Sequence, residues 1–174
     1  MKYDRLWLRE ISLTADYLLY CYNVKISKYQ LFIIEKKINT CLLNIRSNYK
    51  RYLNGNKIDD NIKVTYYPLS DIKENKYNFG RRYKMDEGEK REIKLKDLCD
   101  QFIHADIFSQ FIPMSEGSMG IYFASDKIKN KGLFYIQMYE IARILRSIAK
   151  SCNISIQIKY DEENSIFIFS EIYL

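Results

Sequence analysis

The sequence is poor in three residue types, with two prolines, six glycines and a single histidine among its 174 residues. So few prolines and glycines exclude a collagen-like repeat and a linker-rich chain. One histidine and four widely spaced cysteines, with no Cys-x-x-Cys pair, cannot assemble a standard zinc site. We therefore expect neither a bound metal nor another cofactor.

Long apolar runs are missing as well. The first residues, MKYDRLWLREISL, carry charges where a signal peptide would need an unbroken apolar segment. Runs such as LFII at 31–34 are far too short for a helix that crosses a bilayer. Each cysteine lies in an apolar stretch, as buried thiols do in a reducing compartment. These features predict a cytoplasmic protein with no membrane partner.

What the sequence does contain is a globular composition with a positive charge. Hydrophobic residues make up 47% and charged residues 29%, which is enough for a core and too apolar for a disordered chain. The length fits one domain over residues 1–174. The net charge of +6 favours nucleic acid or an acidic protein as the partner.

Hydrophobic spacing predicts about four helices. They are expected at residues 5–22, 27–53, 95–111 and 134–151. Ser27 and Gln30 form a capping-box pattern at the start of the second helix. Because only a short turn separates the first two helices, they should pack antiparallel.

The remaining segments predict strands and loops. ISIQIK alternates strictly and is followed by a return strand from about Ser165, so the chain should end in a β-hairpin. IKVTYYPL and GIYFAS are further strand candidates, and the charged segment 73–92 is expected to be a mobile loop. The predicted fold class is α+β, a helical core with a small antiparallel sheet that includes the C-terminal hairpin.

The segment KLKDLCDQFIHADIF contains the only histidine, His104. On a helical wheel His104 lies beside Asp97 and Asp100 and nearly opposite Cys99, which argues against a Cys–His nucleophile pair. Asp97, Asp100 and His104 are therefore the candidate catalytic residues. The simpler and preferred interpretation is a half-buried His104 that is hydrogen-bonded to Asp100, on a helix buried on two sides.

Within this segment, LCDQFIHADIF resembles the final-helix signature of the HEPN family. The resemblance implies a largely helical, often dimeric protein, and many members act as metal-independent ribonucleases in bacterial toxin–antitoxin, abortive-infection and CRISPR systems. The catalytic motif of the family is an arginine a few residues before a histidine. His104 matches the histidine, whereas Asp97, Leu98 and Cys99 occupy the positions open to the arginine.

The resemblance therefore implies a catalytically degenerate, RNA- or complex-binding protein of a bacterial defence system or mobile element. One alternative is an active ribonuclease that uses His104 with an arginine from another segment, for example Arg143 or Arg146. The other alternative is a phage-borne interaction module that inhibits a nucleic-acid-binding defence enzyme.

Three basic patches are candidates for gripping a phosphate backbone, although each alone is also typical of a solvated surface. They comprise Tyr139, Arg143, Arg146 and Lys150 on the last helix, Lys127, Lys129 and Lys131 in the turn before it, and Arg81, Arg82 and Lys84 in the charged loop.

The chain also has many aromatic residues, 16 tyrosines and nine phenylalanines. We expect some of them to form an exposed face that binds a second copy or a larger protein partner, because large apolar patches usually mark interfaces. The candidates are Tyr17, Tyr20 and Tyr22 on the first helix and Phe108 and Phe111 on the third.

Overall fold

The structure, a computed structural model, describes residues 2–22, 27–53, 58–74, 78–113, 119–151, 154–161 and 166–173. Its elements are, in chain order, α1 (Lys2–Tyr22), α2 (Lys28–Ser47), α3 (Tyr49–Leu53), β1 (Asn61–Pro68), α4 (Phe79–Arg82), β2 (Glu89–Lys94), α5 (Leu95–Ile103), β3 (Ala105–Pro113), β4 (Met119–Ser125), β5 (Gly132–Gln137), α6 (Met138–Ser151), β6 (Ile154–Asp161) and β7 (Ile166–Tyr173). Strands β1 to β5 form one antiparallel sheet in the order β2-β1-β5-β4-β3, and β6 pairs with β7. The predicted α+β class is confirmed.

The main core lies between the helices and one face of the five-stranded sheet. Alternate residues of the central strands, among them Ile121, Phe123 and Ile136, are fully buried in one cluster with the apolar sides of α1, α2, α5 and α6. Because successive side chains of a strand point to opposite faces, the intervening Tyr122 and Tyr135 belong to a second cluster on the other face.

That second face carries a row of tyrosines. The ring of Tyr122 lies 5.9 Å from that of Tyr67 and 4.9 Å from that of Tyr135. Tyr83 joins this cluster and is only 1% exposed. The segment 73–92, expected to be a mobile loop, therefore supplies a buried anchor as well as α4 and β2. Its many charges obscured that role because they lie on the exposed sides of these elements.

Two predicted helices are shorter than expected because strands replace part of them. The helix expected at 95–111 ends at Ile103, and the one expected at 134–151 begins at Met138. Residues 133–136 are buried on both faces of the sheet, so they form a continuous apolar run. Such a run fits a helix and a fully buried strand equally well, and periodicity alone does not separate the two.

The helix predicted at 27–53 is present but interrupted. Its capping box is confirmed, with the Gln30 backbone N–H donating to the Ser27 hydroxyl at 3.2 Å and the Ser27 N–H donating to the Gln30 side chain at 2.8 Å. At Asn48 the backbone leaves the helical conformation, with φ −112° and ψ 18°, and α3 then begins. This break forms one wall of the site described below.

The C-terminal hairpin is confirmed in its backbone pairing, from Ile154 opposite Tyr173 to Asp161 opposite Ile166. Its predicted place in the main antiparallel sheet is wrong, because β6 and β7 form a separate two-stranded sheet. The turn predicted between the two strands, and Ser165, lie outside the described residues. Within the described ranges, no helix is both long and apolar enough to cross a membrane.

The cysteines behave as the apolar sequence context predicts. Cys21, Cys41 and Cys99 are free thiols and are fully buried. Cys152 lies outside the described residues.

Candidate functional site

Helix α5 carries the predicted catalytic residues on its exposed side, and its other side is buried. Leu98 and Cys99 are fully buried, and the ring of Phe102 lies 4.6 Å from that of Phe123 on the sheet. At its start, the backbone N–H of Leu95 donates to the Asp60 carbonyl at 2.8 Å. The side opposite this anchored face presents the polar residues.

His104 lies where α5 ends and β3 begins. Its backbone N–H donates to the Asp100 carbonyl at 3.2 Å, and its own carbonyl accepts from the Asp126 N–H at 3.3 Å. The Gln101 side chain accepts from the Ser125 N–H at 3.1 Å. These bonds fix the end of α5 against the end of β4, and they leave the His104 imidazole exposed.

The preferred interpretation of His104 as a half-buried partner of Asp100 is wrong. His104 is exposed, and the Asp100 carboxylate is instead bound by Arg46 of α2. The Arg46 Nε donates to one carboxylate oxygen and its Nη2 to the other, the latter at 3.4 Å. These hydrogen bonds from Arg46 to Asp100 raise the pKa of the guanidinium above its ordinary value. Sequence spacing does not reveal this pair, since its members are 54 residues apart.

Arg46 and His104 line one cleft of about 380 Å³, the His104 cleft. Its walls are Arg46, Asp100, Gln101, His104, Ser125, Asp126 and Lys127. Two predicted catalytic residues, Asp100 and His104, therefore meet in it together with Lys127 from a predicted basic patch. Asp97 is exposed on the first turn of α5 and does not line this cleft.

A second cleft of about 520 Å³, the junction cleft, lies at the break between α2 and α3. It is lined by Arg46, Ser47, Asn48, Tyr49, Lys50 and Lys96. Arg46 lines both clefts, so they adjoin each other at this residue. Lys50 and Lys96 are exposed, and no acidic residue is among those lining this second cleft.

Tyr49 fixes the wall of the junction cleft. Its hydroxyl donates to the Asp60 carboxylate at 3.1 Å, and burial together with this hydrogen bond raises the pKa of Tyr49 to about 12. Lys94 donates to the same carboxylate at 2.9 Å, and the hydrogen bonds from Lys94 and Tyr49 hold the pKa of Asp60 below its ordinary range. The tyrosine is thus a neutral and fixed surface at any physiological pH.

Two of the three predicted basic patches adjoin each other. Arg82 donates to the Lys129 carbonyl at 3.3 Å, to the Asn130 side chain at 2.8 Å and to the Glu74 carbonyl at 2.9 Å. This arginine therefore connects the charged segment to the β4–β5 turn, and the hydrogen bonds of its guanidinium stabilise the fold. The lysine turn begins beside the His104 cleft, because Lys127 lines that cleft.

Several cations of these two patches form ion pairs with nearby carboxylates. Lys129 forms ion pairs with Asp106 at 2.9 Å and with Asp126 at 2.6 Å, and these hydrogen bonds raise its pKa. Arg81 lies 3.6 Å from Glu74, and Lys84 lies 3.4 Å from Glu87. The Arg81 and Lys84 pairs are largely exposed, so they contribute little to stability.

The stripe on α6 lies apart from both clefts. Arg143 donates with two nitrogens to the Glu140 carboxylate, at 2.9 and 2.8 Å, and Arg146 is paired with Asp16 of α1. Tyr139 and Lys150 are exposed on the same helix. None of the four predicted α6 residues lines either cleft, so the structure does not bring this patch to His104.

The residues that the sequence did not reveal are Arg46, Lys50 and Lys96. Their only sequence signal is a positive charge on an amphipathic helix, which many solvated residues share. Among the residues that the structure describes, no three histidine, cysteine, aspartate or glutamate side chains lie close enough to hold a metal ion.

No protein-family model, curated protein or solved structure matches the chain.

Proposed function

We propose that the chain binds single-stranded RNA, with the sugar–phosphate backbone passing from the junction cleft over Arg46 to the His104 cleft. The observation that carries the proposal is the meeting of the two clefts at Arg46, with Lys50 and Lys96 on one side and Lys127 on the other. Phosphate contacts of this kind supply most of the affinity of a sequence-independent RNA-binding protein.

The size of the clefts favours a single strand. Volumes of about 380 and 520 Å³ are in the range of small-molecule pockets, so each accommodates a nucleotide and not a duplex. Arg46 is held in place by Asp100 and still has N–H groups for a phosphate, because a guanidinium has five donors and the pair uses two of them. An arginine fixed in this way loses little side-chain entropy on binding.

The HEPN resemblance of the His104 segment supports the same class of ligand. It implies a catalytically degenerate, RNA- or complex-binding, cytoplasmic protein of a bacterial defence system or mobile element. The five-stranded sheet lies outside the helical fold of that family, so the proposal rests on the clefts and uses the resemblance only as support.

The test is the affinity of the chain for a short labelled single-stranded RNA, measured by fluorescence anisotropy over a range of salt concentrations. The variant replaces the three cleft lysines, as Lys50→Gln, Lys96→Gln and Lys127→Gln. Losing three phosphate contacts should lower the slope of log affinity against log salt by about 2 and weaken binding roughly 100-fold at about 0.1 M salt.

The matched control is Lys36→Gln, Lys63→Gln and Lys73→Gln, which removes the same charge from three exposed lysines outside the clefts and outside the predicted basic patches. It should leave the slope nearly unchanged. Equal weakening by both triple variants would mean that net charge alone attracts RNA. The absence of binding by the native chain at low salt would overturn the proposal outright.

A second candidate function, an active metal-independent ribonuclease, is favoured by the presence of Arg46 and His104 in one cleft. In this hypothesis His104 transfers protons and Arg46 stabilises the developing phosphate charge. Arg46 takes the role first assigned to Arg143 or Arg146. His104→Ala should abolish RNA cleavage and change stability by less than about 0.5 kcal/mol, because the imidazole is exposed.

The third function, a phage-borne module that inhibits a nucleic-acid-binding enzyme, is favoured by the exposed apolar side chains on α1 and α2. It requires no RNA binding by the isolated chain. A chain that fails to bind RNA at low salt but binds such an enzyme would establish this alternative.

A further inference from the structure

The aromatic residues predicted to form an interface divide between the core and the surface. Phe108 lies in β3 instead of on α5 and packs edge-on against Phe102 at 5.5 Å, so it belongs to the core. The side chains of Phe111 and Tyr22 lie outside the described residues, and Tyr17 is half-buried. Tyr20, by contrast, is 63% exposed.

Tyr20 is part of a larger apolar surface, which we call the outer face of α1 and α2. Among the described residues, ten large apolar side chains are exposed, and seven of them lie on α1 and α2. Six of the seven, all except Trp7, fall on the sides of the helices opposite the buried residues, and we assign them to this surface. They are Leu6, Leu13 and Tyr20 on α1 and Tyr29, Phe32 and Leu43 on α2.

On α1 these residues form a straight seam. Leu6, Leu13 and Tyr20 are seven residues apart, and seven residues turn an α-helix almost two full times, so their side chains lie nearly in line. The seam is opposite the buried side of the helix, where Ile11 and Leu18 are fully buried. A helix that is apolar on both sides requires a partner on each of them.

Helix α2 extends the same surface. The Lys37 ammonium lies 2.9 Å from the Glu10 carboxylate, and the Tyr29 side chain is close enough to Tyr17 to affect it electrostatically. Later residues of α2 therefore lie beside earlier residues of α1, and the two helices are antiparallel neighbours as predicted. Their exposed sides together form one two-helix surface.

We propose that the outer face of α1 and α2 binds a second copy of this chain across a two-fold axis at Leu13. The seam is symmetric about its centre, since Leu6 and Tyr20 are each seven residues from Leu13. Two antiparallel copies of α1 related by that axis place Leu13 against Leu13 and Leu6 against Tyr20 of the partner subunit. Apolar side chains then meet apolar side chains along the whole seam, as a closed two-fold interface requires.

The available area is sufficient for a dimer. Helix α1 has 21 residues and is therefore about 31 Å long, and two neighbouring helices about 10 Å apart present a surface roughly 20 Å wide. Each copy then buries about 600 Å², or about 1,200 Å² in total, which is the lower limit of the usual range for a specific interface. The proposal does not depend on RNA binding.

Cross-linking tests the position of the axis. In a Cys152→Ser background, whose three other cysteines are buried, Leu13→Cys should form a disulfide-linked dimer under mild oxidation. Leu6→Cys alone should not, because its two copies would lie about 21 Å apart along the antiparallel helices. Mixing Leu6→Cys chains with Tyr20→Cys chains should restore the cross-link. Ile72→Cys, 57% exposed and outside the face, is the control.

Sedimentation velocity tests the association itself. Leu13→Glu places two like charges at the axis and should weaken dimerisation roughly 100-fold. Ile72→Glu should leave it unchanged, and circular dichroism should show both variants folded, since both side chains are exposed. A native chain that is monomeric at micromolar concentration overturns the proposal and leaves the face to a different partner. A dimer that tolerates Leu13→Glu and does not cross-link at Leu13→Cys also overturns it.

Discussion

Replacing Asp100 by asparagine should make the chain bind RNA more tightly. The Asp100 carboxylate holds the Arg46 guanidinium and contributes one negative charge to the His104 cleft. Asparagine has nearly the same size but no charge, and its amide oxygen can still accept a hydrogen bond from Arg46, so the change removes a negative charge without freeing the arginine side chain. If phosphates occupy the two clefts, they are no longer repelled by the Asp100 carboxylate, and the charge of Arg46 is no longer neutralised by it.

The expected effects on stability and on RNA affinity can both be estimated. The two side chains are 36% and 38% exposed, so their ion pair contributes little to stability and the variant should fold normally. A net gain of one positive charge beside the phosphates acts as about one more neutralised phosphate, which on a single strand steepens the salt dependence by about 0.7 and tightens binding roughly fivefold at about 0.1 M salt.

Asp16→Asn is the control, because Asp16 holds Arg146 of α6 in another surface ion pair, whose side chains are 56% and 44% exposed. Both variants change the net charge by the same amount. Anisotropy titrations over a range of salt should therefore show tighter binding for Asp100→Asn alone. Equal tightening by the two variants would attribute the effect to net charge. Tightening by Asp16→Asn alone would refute the cleft and establish the α6 stripe as the RNA-binding surface.

Three further predictions concern stability and reactivity. Burial alone would raise the pKa of Glu140, but hydrogen bonds from Arg143 and from a backbone N–H hold it below the ordinary 4.5. Glu140→Gln should therefore lower the free energy of unfolding by about 1.5–3 kcal/mol near neutral pH. That difference, measured by urea unfolding, should disappear as the pH falls below 4.5 through the lowered pKa. Gly132→Ala should lower the thermal midpoint by the equivalent of about 1–3 kcal/mol, because a Cβ there would overlap the Tyr66 ring, whereas Gly80→Ala, with open space around it, should not. The three buried cysteines, whose burial raises the pKa of each thiol, should react with Ellman's reagent only after unfolding.

Local patterns in the sequence were sufficient for much of the fold. Ser27 and Gln30 predicted the start of α2, and strict alternation predicted the pairing of β6 with β7, because each signal is contained in a few consecutive residues. The errors occur where a segment is buried on two sides. Residues 133–136 form a strand inside the sheet, and their uninterrupted apolar character also fits a helix.

The site was predictable only in part, for a related reason. His104 was found because it is the only histidine, and the structure places it in a cleft with Lys127. Arg46 was missed because its position beside Asp100 depends on the packing of α2 against α5. The α6 stripe was predicted from its positive charges, but two of them are neutralised in the structure. Arg143 pairs with Glu140 one turn away on the same helix, and Arg146 pairs with Asp16 of α1.

The two proposed surfaces share helix α2 and can still be tested independently. Arg46 lies in the last turn of α2, whereas Leu13 lies near the middle of the α1–α2 pair, because the contact of Glu10 with Lys37 sets the relative position of the two helices. The separation along the helix axis is about 18 Å, and Arg46 points to α5 while the seam points away from the core. The distance from a charge at Leu13 to the clefts is therefore greater than the Debye length of a solution at physiological salt, so the charge has little direct effect on RNA there. Loss of RNA binding in Leu13→Glu would then mean that RNA requires both copies, and retention would mean that one chain contains the whole site.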